Sequence, residues 1–87
     1  MKIYRLELEY HKDATPWQRW DVRDTIWEID TNAVHFNDDE EFDIFLMVNP
    51  NMLALTTRLT FLQAVGIIKS WKIYASEWKL INNSDRR

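Results

Sequence analysis

The sequence predicts an α+β domain with element order β-α-β-β-α-β: a four-stranded antiparallel sheet with both helices on one face. Three observations predict it. Tyr4, Leu6, Leu8 and Tyr10 alternate with Arg5, Glu7, Glu9 and His11, the period of a strand with one apolar and one charged face. Met52, Leu55, Leu59 and Leu62 follow a three–four–three spacing, a helical stripe that runs out at Gly66. Gly66 is the single glycine in 87 residues. A glycine just past a helix takes the left-handed conformation that ends it.

The first strand covers 2–12. Asp13-Ala14-Thr15-Pro16 then reads as a helix start, with Thr15 capping through its hydroxyl and Pro16 at the first helical position. That helix should run over 16–31 and carries two apolar stripes. Val22, Ile26, Ile29 and Ala33 form one; Trp17, Trp20 and Trp27, with Val34 next in line, form the other. At ~100° per residue the two lie about 140° apart, and the sequence leaves open which of them covers the sheet. A strand over 25–29 is the competing reading. Residues 32–36 read as a short edge strand and the acidic run 37–41 as its turn. Residues 42–49 read as a buried strand with Phe42, Ile44, Leu46 and Val48 facing the helices and Asp43, Phe45 and Met47 facing away. A rival takes Asp38 and Glu41 as a capping box and makes 39–48 a helix; the short run and its stop at Asn49-Pro50 favour the strand.

The second helix covers 50–65, although Thr56, Thr57 and Thr60 lean toward strand by propensity. The last strand, 67–80, puts Trp71, Ile73 and Ala75 on the core face and Ser70, Lys72, Tyr74, Ser76 and Trp78 on the other. A helix running from Ile68 through Trp71, Ala75 and Trp78 is the alternative. Residues 1–81 make one compact domain, and 82–87 a frayed polar tail.

With two β-α-β units and right-handed crossovers, this element order resembles the ferredoxin-like arrangement. That arrangement hosts many unrelated functions, so the resemblance implies no activity. The RNA-recognition motif shares the topology and stacks bases on aromatics of its two central strands. Residues 2–8, and more faintly 41–46, are similar to its strand motifs. However, Tyr4 shares a face with Leu6 and Leu8, the opposite face carries Glu7 and Glu9, and the glycines of the longer motif are absent. Nucleic-acid binding through the open sheet, with Arg5, Lys69, Lys72 and Lys79 as cations, is therefore the secondary expectation.

Composition narrows the rest. Fourteen acids against 11 bases give a net charge of −3, and a phosphate-binding protein needs a basic face. The absence of cysteine removes disulfides, thiolate chemistry and cysteine metal sites. The N-terminus shows no signal peptide and no apolar run reaches the ~20 residues that span a bilayer. A soluble cytoplasmic protein without membrane contact is expected. His11 and His35 sit in no nucleophile or metal motif, and one glycine cannot build a phosphate loop. The glycine-bearing loop of acylphosphatases has no counterpart in residues 11–14. The expectation is a non-enzymatic protein with no cofactor and no metal site.

Five tryptophans are more large aromatic surface than a small core needs. Tryptophan is enriched at interface hot spots. The expected partner-binding residues are Trp17, Trp20 and Trp27 on the first helix and Phe45, Met47, Tyr74 and Trp78, with Ile3, on the open sheet face. Asp38, Asp39, Glu40 and Glu41 form an acidic loop that would steer a basic partner; it lacks the spacing and glycine of a calcium loop. The function expected is a small protein-binding module that docks on another protein, in the manner of the compact acidic inhibitors that phages direct at host proteins. A second copy of the chain is a further candidate partner.

Overall fold

The computed structural model describes residues 2–39, 41–75 and 79–84, with the backbone alone for 37–39 and 79. Among the described residues the order is β1 (Ile3–Tyr10), α1 (Pro16–Ile29), β2 (Val34–Asp39), β3 (Phe42–Val48), α2 (Met52–Ala64), β4 (Ile68–Ala75) and β5 (Lys79–Asn83). The strands form one sheet in the order β2-β3-β1-β4-β5, and each neighbouring pair is antiparallel. The class is α+β with two helices, as the sequence predicts. The strand count is not: the sheet has five strands rather than four.

The difference lies in the expected strand 67–80. It stops at Ala75 and the chain returns beside it as β5. Asn82 and Asn83, assigned to a frayed tail by their polarity, pair with Ile73 and Lys72. Ser84 extends the pairing: its N–H donates to the Trp71 carbonyl at 2.9 Å, and its hydroxyl accepts from the Trp71 N–H at 3.1 Å. The sequence between the two strands gives little sign of a turn: 76–78 contain no glycine, proline, asparagine or aspartate, and Ser76 is the one turn-favouring residue there. β2 is also longer than expected, running to Asp39 with a register shift between Asn37 and Asp39.

Local chemistry sets the helix ends. The Thr15 hydroxyl accepts from the Gln18 N–H at 3.1 Å while the Gln18 side chain accepts from the Thr15 N–H at 2.8 Å, a reciprocal box; Pro16 follows at the first helical position. Asn49 turns the chain out of β3 with φ of 50°, a conformation asparagine tolerates better than most residues. Asn51 caps α2, which starts at Met52 rather than at 50, by accepting from the Ala54 N–H at 3.1 Å. At the far end Gly66 has φ of 82°. The Gly66 N–H donates to Gln63 O and the Ile67 N–H to Leu62 O, each at 3.1 Å. This is the paired-bond stop that the lone glycine predicts.

The core forms between one sheet face and both helices. Leu6, Leu8 and Tyr10 of β1, Phe45 and Met47 of β3, and Trp71 and Ile73 of β4 are buried against Val22 and Ile26 of α1 and Leu55, Leu59 and Leu62 of α2. Thus the Val22/Ile26 stripe of α1 is the core stripe, and the periodicity of α2 holds. On β3 the facing is opposite to expectation. Phe45 and Met47 are buried, not on the open face, while Phe42, Ile44, Leu46 and Val48 point away from the helices. The run Phe42–Val48 is apolar on both parities, so alternation alone cannot choose. Asp43 chooses: buried partners await it under α1, and a one-residue change of facing carries the whole strand with it. Among the described residues no helix is long and apolar enough to cross a membrane.

Candidate functional site

Asp43 is wholly buried and is the centre of a polar cluster on the helix side of the sheet. Tyr10, at the end of β1, donates its hydroxyl to Asp43 Oδ2 at 2.5 Å. From α1, Arg23 donates Nε to Oδ2 at 2.8 Å and a terminal nitrogen to Oδ1 at 3.2 Å. His35 on β2 places Nε2 2.9 Å from Oδ1. A buried carboxylate is costly unless paired and hydrogen-bonded, and this one is both. Burial by itself would raise the Asp43 pKa, but hydrogen bonds from Arg23, His35 and Tyr10, with the Arg23 charge, hold it below the ordinary carboxylate range. The Tyr10 hydroxyl is pushed well above a free phenol, first by burial and then by its bond to Asp43. The hydrogen bond to Asp43 also raises Arg23.

With no exposed surface, Asp43 cannot meet a substrate. What the cluster does is mechanical. It ties β1, β2 and β3 to one point of α1 and thereby fixes how that helix is rotated. The cluster extends from the core to the flank of the helix. The Arg23 guanidinium lies 4.9 Å from the centre of the Trp20 ring, and that of Arg19 lies 5.5 Å from the centre of the Tyr10 ring, both within cation–π range. Trp20 is 53% exposed and Trp17, one turn before it, is 80% exposed. Residues three apart are neighbours on a helix surface, so the two indoles form one aromatic patch on a locked helix. Trp27 is different: it is half-buried against the core, donates its indole N–H to Ala33 O at 2.9 Å, and meets His35 and Phe45 edge-on.

The other expected site residues are dispersed. Tyr74 is half-buried on the open sheet face opposite Arg5, while Phe45 and Met47 lie in the core. Trp78 and Glu40 lie outside the described residues, as do the side chains of Asp38, Asp39 and Lys79. The Glu41 carbonyl accepts from the Tyr10 N–H at 2.7 Å. The cations proposed for nucleic acid are interleaved with acids. Arg5 is paired with Glu7 at 2.7 Å, and Lys69 lies 3.8 Å from Glu9.

The structure also shows surfaces that sequence reasoning missed. Val34 and Phe36 of β2 share the open face with Ile44, Leu46 and Val48 of β3. A groove of about 510 Å³ runs along the outer side of α2 between Leu53, Thr57, Arg58 and Phe61. Residues 42–48 held no signal for the first, because the run is apolar on both parities and its facing is set by the partners of Asp43 on α1, β1 and β2. Among the described residues no group of three or more histidines and acids is placed to hold a metal ion.

No protein-family model, curated protein or solved structure matches this chain.

Proposed function

We propose that this protein is a small non-enzymatic protein-binding module that docks through the aromatic patch of Trp17 and Trp20. One observation carries the reading: two adjacent indoles stand 80% and 53% exposed on a helix whose rotation is fixed by a buried ion pair. Leaving such area in water costs roughly 25 cal/mol per Å², and a partner that covers it recovers that energy. Rigid indoles lose little entropy on docking. The matching surface on the partner is an apolar pocket for Trp17, with polar groups at its rim for the indole N–H. The acidic run Asp38-Asp39-Glu40-Glu41 favours a partner with a basic surface, which would speed association at low salt. Occupying a larger protein in this way is how a compact acidic inhibitor acts.

The test is affinity capture from the native host with the wild-type chain and a Trp17→Ala/Trp20→Ala variant of matched urea midpoint. A stoichiometric partner retained by the wild type and lost by the variant supports the reading. Equal capture by both overturns it.

A further inference from the structure

The open face of the sheet carries two rows of different chemistry. On β2 and β3, Val34, Phe36, Ile44, Leu46 and Val48 form an apolar field, and Val34, Phe36 and Val48 are each about half exposed. Beside it on β1 runs a charged row of Arg5, Glu7 and Glu9, with Arg5 bonded to Glu7 at 2.7 Å. A contiguous apolar field of this kind on a small domain marks an interaction surface.

From this pattern we infer that the open face packs against the same face of a second copy, about a two-fold axis that crosses the strands. Any two-fold pairing of a surface with itself needs its axis in the interface plane. An axis parallel to the strands and along the middle strand, β1, would lay β4 and β5 over the apolar field and set exposed Lys72 among apolar side chains. An axis across the strands lays each strand on its own copy, reversed. The observed register makes that second arrangement self-consistent over β2, β3 and the Arg5–Glu7 pair of β1, while on β4 it brings Lys72 onto Tyr74. Leu6, Phe45 and His35 stand at one level across β1, β3 and β2. Rotation about that level exchanges Arg5 with Glu7, Ile44 with Leu46, and Val34 with Phe36. Apolar residues then meet apolar residues on two strands. On the third, each Arg5–Glu7 pair meets its mate in reverse, giving a square of alternating charges. Opposite charges at an interface fix its register as well as its partner.

The size fits. Five strands at ~4.8 Å spacing and seven residues at ~3.4 Å give a face of roughly 570 Å² in projection. Side-chain relief brings this close to the ~800 Å² per partner of a standard interface. Packed sheets of this kind sit ~10 Å apart and cross at about −30°. This surface lies on the opposite side of the sheet from α1, so the inference does not rest on the role of Trp17 and Trp20.

Sedimentation equilibrium of the full chain tests it, with far-ultraviolet dichroism and urea midpoints to show that each variant is folded. The wild type should sediment at twice 10.6 kDa. Leu46→Lys should raise the dimer dissociation constant by about 100-fold, and Arg5→Glu or Glu7→Arg alone by about tenfold, since each like-charge contact occurs twice. The Arg5→Glu/Glu7→Arg double variant should return to within about threefold of wild type. A wild type that stays at 10.6 kDa at millimolar concentration overturns the inference. So does a dimer indifferent to Leu46→Lys, or one that the double charge exchange fails to restore. If only Trp17→Ala/Trp20→Ala dissociates it, the dimer belongs to α1 and the sheet face is excluded.

Discussion

The guanidinium of Arg23 and the carboxylate of Asp43 meet through two hydrogen bonds, of 2.8 and 3.2 Å, with the carboxylate wholly out of solvent. The pair joins the middle of α1 to β3, and Tyr10 and His35 complete its coordination. Asp43→Asn keeps the shape but leaves a buried guanidinium without its counter-charge. Loss of one partner from such a pair costs about 3–5 kcal/mol. Urea unfolding at pH 7 should show a loss of that order, and near-zero change would refute the central role given to the pair.

Acid should unfold the protein through the same residue. The Asp43 pKa is lower in the folded chain than its ordinary 3.8. Above 3.8 the stabilisation is fully present; as pH falls below it, the unfolded chain takes up a proton that the folded chain refuses, and stability is lost. Urea midpoints measured from pH 5 down to pH 2 should fall steeply for the wild type. The Asp43→Asn variant should show a shallower slope over the same window.

At the alkaline end the sign is set by Tyr10. Its pKa is raised in the folded chain above the ordinary 10.0, so once pH exceeds 10 the unfolded chain releases a proton that the folded chain keeps. Stability should decline from that point. Tyr10→Phe should remove this part of the decline, and an unchanged slope from pH 9.5 to 11.5 would count against the burial of the hydroxyl.

The tryptophans should divide into two classes. Trp71 is 2% exposed in the core and Trp17 is 80% exposed. Replacing Trp71 by alanine should cost about 3–5 kcal/mol, whereas Trp17→Ala should change stability by no more than about 0.5 kcal/mol. Fluorescence gives a second reading, because removing Trp17 deletes a water-exposed emitter. The remaining emission should shift to shorter wavelength. A large stability loss in Trp17→Ala would mean that this indole belongs to the fold rather than to a partner.

Gly66 offers a clean measure of backbone strain. Nothing lies within 4 Å of where its Cβ would be, so the cost of Gly66→Ala is the φ of +82° alone. That cost is about 1–2 kcal/mol for an L-residue, with Gly66→Asn cheaper. Thermal unfolding of the two variants should rank them in that order.

Where a side chain had one sensible environment, the sequence was readable. Thr15, Gly66, the Leu55–Leu59–Leu62 stripe and the alternation of β1 each point to a single local structure, and each is found. Legibility failed where chemistry at a distance made the choice. Nothing within residues 42–48 says that Asp43 should turn inward; the reason sits on α1, β1 and β2, and only the assembled sheet brings Arg23, Tyr10 and His35 to it. The same slip hid the apolar field of the open face. β5 was missed for a different reason: its polar Asn82 and Asn83 are paired through backbone groups, to which side-chain patterning is blind.

The strand order also constrains how the chain reaches this state. β1 leaves the ribosome before the other strands of its sheet yet lies at the centre, where Leu8 is flanked by Asp43 on one side and Trp71 on the other. Neither neighbour exists until much later in synthesis. Closing such distant pairings is slow compared with helix formation. Until β4 is complete the middle strand keeps an unpaired edge, and Leu6 and Leu8 lack part of their cover. The alternating Arg5, Glu7 and Glu9 then serve as gatekeepers, charged side chains that keep nascent chains from pairing with one another through that edge.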